Sequence, residues 1–243
     1  MSEGNWRSVY DRKNMVEWYE KRAQIISMRR DELDSAIISM FPCDREESMR
    51  VLELGSGMGQ LTEKILRTFP HAIVTCVEGA SEMLGIAKER LQKYGNRVTF
   101  LQLDFEGPSW HHSLHKYQVV VSARAIHHLS DNGKRDLFKQ VFSLLETAGY
   151  FIDGDLIKSR FEGFNHKYID EVWAGHIKEK TKEILGIDRS MEEVRKRMYA
   201  ASEREGDKPS TVEDQLKWML DAGFKEVDCV WKYYHIAVLV GLK

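Results

Sequence analysis

Short apolar runs alternate with amphipathic stretches along most of the chain. Residues 50–54, 72–77, 98–103, 117–121 and 150–153 are rich in branched and aromatic side chains and too short for helices, so each predicts a strand. Residues 60–69, 81–94 and 132–146 predict helices between them. The strands are apolar throughout rather than alternating, which is the pattern of a parallel sheet covered on both faces. Ahead of them, Met15, Trp18, Tyr19, Arg22, Ile25, Ile26, Arg29, Leu33, Ile37 and Met40 recur at three-four spacing. That stripe predicts one long helix over residues 14–41, stopped by Pro42.

Residues 161–206 are charged and helical in pattern, with two helices expected, the second opened by a capping box at Ser190 and Glu193. A second box, Ser210 with Glu213, opens a helix that Gly223 closes. Residues 226–241 hold two β-rich runs around Lys232-Tyr233-Tyr234, with no room for a crossover helix, so an antiparallel hairpin is expected. The whole reads as an α/β fold over residues 1–243: one domain with a doubly wound, mostly parallel sheet, an antiparallel C-terminal hairpin and a helical insertion.

Composition narrows the function. Lys plus Arg number 36 and Asp plus Glu 38, a net charge of −2 that lacks the positive surplus of a nucleic-acid binder. No apolar run reaches the roughly 20 residues that span a bilayer, and residues 1–7 lack the order of a signal peptide. Cys43, Cys76 and Cys229 are odd in number and far apart, giving neither a disulfide framework nor a metal site. A cytoplasmic protein, monomeric or homodimeric, with no metal, no membrane contact and a small-molecule partner is expected.

The most informative segment is Glu53-Leu54-Gly55-Ser56-Gly57-Met58-Gly59 at the end of the first strand. Glycines at alternate positions permit a tight turn and close approach of a ligand to the backbone, and the next helix offers free N–H groups. A dinucleotide turn would place its third glycine where Gln60 stands. The GxGxG pattern instead resembles motif I of the class I S-adenosylmethionine-dependent methyltransferases. Glu78-Gly79 with Met83 after the second strand, Asp104-Phe105 after the third, and Ser122 to Leu129 after the fourth resemble that family's later segments, in order. The resemblance covers residues 50–157 closely and 209–243 in outline. It implies a Rossmann-like fold and S-adenosylmethionine as cofactor, held by Tyr19, Glu53, Gly55, Ser56, Gly57, Glu78, Gly79, Met83, Asp104, Phe105 and Ser122. Within that set, the resemblance gives Glu78 to the ribose and Asp104 to the adenine amino group.

A histidine is poised near neutral pH, which makes His127, directly after the fourth strand, the candidate general base. The acceptor pocket is expected from the N-terminal helix at 14–41 and the insertion at 161–206, acting as a substrate lid. Its candidate residues are Arg22, Arg29, His128, Tyr168, Trp173 and His176. Arg22 and Arg29 sit on an apolar stripe and need an anionic or backbone partner there. Methyl transfer to a small molecule is the leading expectation. A tRNA-modification-related enzyme resembling carboxy-S-adenosylmethionine synthase and a non-catalytic cofactor-binding regulator are the alternatives.

Overall fold

The computed structural model describes residues 16–42 and 44–243, with side chains from Lys21 onward. Five parallel strands form the body of the sheet: β1 (Met49–Leu54), β2 (Ala72–Glu78), β3 (Val98–Gln102), β4 (Tyr117–Ala123) and β5 (Leu145–Lys158). The two-residue β6 (Ser210–Thr211) pairs with the end of β5. The hairpin β7 (Glu226–Tyr233) and β8 (Ile236–Leu242) completes the sheet, with β8 antiparallel to β5. The order is β3-β2-β1-β4-β5-β8-β7. Strand order reverses direction beside β1, the switch point where open α/β sheets form a crevice.

Helices cover both faces, because the strand residues are apolar on both. One core joins Leu52, Leu54, Val120 and Phe151 to α5 (Asp131–Leu144) and α9 (Val212–Ala222) through Phe138, Val141, Trp218 and Met219. The other joins Val51, Val74, Val121 and Ile152 to α2 (Arg30–Ser39) and α3 (Gln60–Thr68) through Leu33, Ile37, Leu61 and Ile65. Helix α4 (Ser81–Leu91) follows β2.

The expected helix over residues 14–41 is two helices. α1 (Val16–Ile26) ends at Ser27, and Arg29 adopts a left-handed conformation (φ 51°) before α2 begins. The stripe changes partner at the break, for α1 packs on the insertion and α2 on the sheet. The insertion begins with α6 (Glu162–His166). It continues through a π-helical stretch (Lys167–Trp173) into α7 (Ala174–Leu185), then α8 (Met191–Glu205). Ala174, Val194 and Met198 give it a small core of its own. Ser190 caps α8 as expected. Thr211, not Ser210, caps α9 by accepting from the Asp214 N–H. Ser210 is spent in β6, its hydroxyl donating to Asp131. In β7 the register shifts between Cys229 and Trp231, so Val230 is an extra residue in the ladder.

Candidate active site

Parallel register brings the ends of β1, β2 and β4 to one sheet edge: Leu54 pairs with Val77 and with Ser122. The chain leaves β1 through Gly55 (φ 67°) and Gly57 (φ 53°). The N–H groups of Gly55 and Ser56 both donate to the Val77 carbonyl, at 2.8 and 3.1 Å. The Glu78 carboxylate then closes the turn, accepting from Gly57 N–H and Ala80 N–H at 2.8 Å each. Burial raises the Glu78 pKa, while the Ala80, Gly57 and Gly79 N–H groups oppose the rise. A Cβ on Gly57 would meet nothing within 4 Å, so the turn borders open space.

Beneath the turn, Glu53 is buried and accepts a hydrogen bond from the Thr62 hydroxyl. Burial pushes its pKa up to about 8. After β4, Arg124 takes a left-handed conformation (φ 56°), and its buried Nη1 has no hydrogen-bond partner. A buried guanidinium nitrogen without an acceptor is costly and marks a place for an anionic group.

His127 and His128 follow in a short 3-10 turn. Asp155 on β5 grips His127 twice, accepting from its backbone N–H at 2.8 Å and facing its ring Nδ1 at 2.6 Å. Asp207, from the end of the insertion, reaches the His127 Nε2 at 3.5 Å. Burial opposes charge on His127, but the carboxylates of Asp155 and Asp207 outweigh it and push the pKa up to about 10. The two flanking carboxylates thus favour a cation at the His127 Nε2, a proton when nothing else is bound there, which does not support the neutral general base expected of His127. Burial and the charge of His127 lower the pKa of His128.

One cavity gathers these groups under the insertion. Among the sequence candidates, Arg22, Glu53, Gly55, Ser56, Gly57, Glu78, Met83, Phe105, His127, His128 and Trp173 line it. Arg22 does not face a ligand alone: it forms a two-pronged ion pair with Glu205 of α8 at 2.5 and 2.7 Å. The Trp173 indole N–H donates to the Ile26 carbonyl at 2.8 Å, fixing the insertion to α1. The Trp173 ring stands 4.6 Å from that of His235, a buried residue of the β7–β8 turn. Burial and His176 lower the His235 pKa to about 3, so it is neutral near pH 7.

Other candidates lie elsewhere. The break before α2 turns Arg29 outward onto Glu32 and the Tyr233 ring, and Arg30 lines the cavity in its place. The Ser122 hydroxyl donates to the Leu54 carbonyl, joining β4 to β1 rather than reaching a ligand. Asp104 is exposed and accepts from the Glu106 N–H at 3.0 Å. Tyr168 stacks on Phe164 and meets Tyr234 outside the cavity, and neither Gly79 nor His176 lines it. The Tyr19 side chain falls outside the described residues. Sequence reasoning missed Asp155, Arg124, Glu205, Asp207 and His235. Only Arg124, inside the segment after β4, had a local signal.

Residues 51–149 match the family described as a methyltransferase domain. A malonyl-[acyl-carrier protein] O-methyltransferase of Bacillus cereus is 34% identical over 127 residues, 52% of this chain and 42% of that protein. The chain thus spans less than half the length of that relative. A carboxy-S-adenosyl-L-methionine synthase of Nautilia profundicola is 18% identical over 207 residues, 85% of this chain and 81% of that one. Among solved structures, the magnesium protoporphyrin IX methyltransferase of Synechocystis, with bound S-adenosylmethionine, shares the fold. It superposes with a TM-score of 0.60 at 14% identity, over 98% of this chain and 97% of that one. The glycine turn, its closing glutamate and the strand order on β1 agree with these likenesses: residues 51–149 match the methyltransferase-domain family, and the chain shares the fold of a solved S-adenosylmethionine-binding methyltransferase.

Proposed function

We propose that this protein transfers a methyl group from S-adenosylmethionine to a small molecule seated beneath the insertion. The observation that carries the reading is the single cavity running from Glu78 and the glycine turn to Trp173 and His235. The open space beside Gly57 and the partnerless Arg124 nitrogen fit a ligand that brings both a close-packed body and an anionic end. Glu78, the Gly55–Gly57 backbone, Met83, Phe105 and Arg124 are the groups that would hold the cofactor.

When bound, the cofactor supplies a methyl group on a cationic sulfur. The chain's own task is alignment and exclusion of water, and positioning of this kind lowers a barrier by roughly 7–11 kcal/mol. Met28, Leu33, Ile177, Met198 and Ile236 give the acceptor end apolar walls. Arg22–Glu205 and Trp173–Ile26 hold the insertion over it as a lid. The test is to incubate the protein with S-adenosylmethionine and fractions of small metabolites, following the demethylated cofactor and the product masses. A metabolite that gains one CH2 supports the reading. A mass gain on the cofactor itself would instead assign cofactor modification, the activity named for the Nautilia relative.

A further inference from the structure

His127, His128 and Asp207 each offer one metal-ligating atom, and all three atoms lie within 4.8 Å of one another. The Asp207 Oδ1 lies 3.3 Å from His128 Nδ1 and 3.5 Å from His127 Nε2. Neither contact has hydrogen-bond geometry, and this oxygen accepts no hydrogen bond among the described residues. The two separations from Asp207 Oδ1 match a coordination sphere. Bonds of about 2.1 Å to nitrogen and oxygen place tetrahedral ligands about 3.4 Å apart, and octahedral neighbours only about 3.0 Å.

The surroundings are built to hold the three in place. Asp155 fixes the His127 ring through Nδ1 at 2.6 Å and leaves Nε2 to the cluster, the arrangement of a carboxylate behind a ligating histidine. Asp207 is held by its neighbour: the Lys208 N–H donates to the His127 carbonyl at 2.7 Å, and the Lys134 ammonium donates to the Lys208 carbonyl. Both histidines are buried, at 6% and 8% exposure, so the cluster is not a solvated surface group. Asp153, Asp155 and Asp207 together bring three carboxylates to this region, with Lys134 as a neighbouring cation. All three candidate ligands line the cavity.

The geometry points to a four-coordinate divalent transition-metal site of the zinc class at His127 Nε2, His128 Nδ1 and Asp207 Oδ1, with its fourth position open to the acceptor cavity. Two imidazoles and one carboxylate suit Zn2+ or Co2+ better than the all-oxygen preference of Mg2+ or Ca2+. Three protein ligands with one free position are the pattern of a metal that works on a substrate rather than on the fold. In the methyltransferase read above, on which this consequence rests, the ion takes an acceptor oxygen as fourth ligand and polarises its O–H bond. The proton passes to solvent and leaves an oxygen nucleophile.

The test uses the full chain after chelator treatment, titrated with Co2+ and separately with Zn2+. One equivalent of Co2+ should give an intense visible band of the four-coordinate ion, and Zn2+ should bind with the same stoichiometry in calorimetry. Asp207→Asn and His128→Ala should abolish the band, and Asp155→Asn should weaken affinity about 10- to 100-fold. Asp188→Asn, a distant exposed position, should leave it intact. Far-UV circular dichroism and binding of the demethylated cofactor establish that each variant is folded. Absence of stoichiometric uptake, or uptake that Asp207→Asn does not change, overturns the site. Cofactor binding by the metal-free protein is scored separately, so loss of the metal proposal and loss of the methyltransferase reading are distinguishable.

Discussion

The Glu78 carboxylate reaches back across the end of β2 and accepts the Gly57 N–H at 2.8 Å, so one side chain both shapes the glycine turn and faces the cavity. Glu78→Ala leaves two backbone donors, Gly57 and Ala80, without this acceptor. Each buried donor left unmatched costs about 1–3 kcal/mol. Calorimetry with the demethylated cofactor should show at least a tenfold loss of affinity, and thermal unfolding a lower Tm. Unchanged affinity would remove Glu78 from the cofactor site.

Gly57→Ala and Gly55→Ala should separate ligand space from structural space. Both force a left-handed alanine, at a cost of about 1–2 kcal/mol. At Gly57 the added Cβ meets nothing within 4 Å, so the fold should survive while cofactor binding falls. At Gly55 it would stand 2.3 Å from the Ala125 Cβ and must displace the segment after β4. Urea unfolding should therefore show Gly55→Ala to be clearly the less stable of the two.

Glu53 makes stability depend on pH. Its pKa rises from an ordinary 4.5 to about 8 through burial, so the folded state binds the proton more tightly than the unfolded state. The stabilisation is complete below pH 4.5 and lost as pH climbs to about 8, with a slope near 1.4 kcal/mol per pH unit. Glu53→Gln, which cannot ionise, should lose less stability than the parent between pH 5 and 8 in urea titrations. Parallel curves would show that Glu53 does not titrate in this range.

Arg22 and Glu205 tie α1 to α8 with side chains only 16% and 6% exposed. Arg22→Leu takes the shorter ion pair from a buried carboxylate and leaves it the more distant Arg204 at 3.4 Å; loss of a buried partner is worth up to about 3–5 kcal/mol. Hydrogen exchange should quicken over residues 191–205 more than in the sheet. The double variant Arg22→Leu with Glu205→Leu should recover part of the loss, because the only cation left of the cluster is Arg204, whose side chain is exposed.

What could be read from the sequence was local. The glycine turn, Glu78 and the alternation of strands and helices each lie within a short window, and the parallel register then fixes their meeting at one edge. The rest depends on distant partners. Asp155 lies 28 residues after His127, and Glu205 lies 183 after Arg22; no spacing rule joins them. Ser122 reads as a strand-end hydroxyl, but the pleat turns it inward to the Leu54 carbonyl. Arg29 follows the helical stripe on paper, yet one left-handed residue redirects it to the surface. The setting of His127 was not legible for the same reason: its flanking carboxylates come from β5 and the end of the insertion, not from its own neighbourhood.

The extra residue in β7 has a bearing on how copies of this chain meet. Among the described residues β7 is the outermost strand beside β8, and an open strand edge is a template for another chain. The irregularity at Val230 bends that rim and breaks its run of donors and acceptors. Glu226, Asp228 and Lys232 add charge along it. The bulge and these charges together disfavour extension of the sheet by a second molecule at this border.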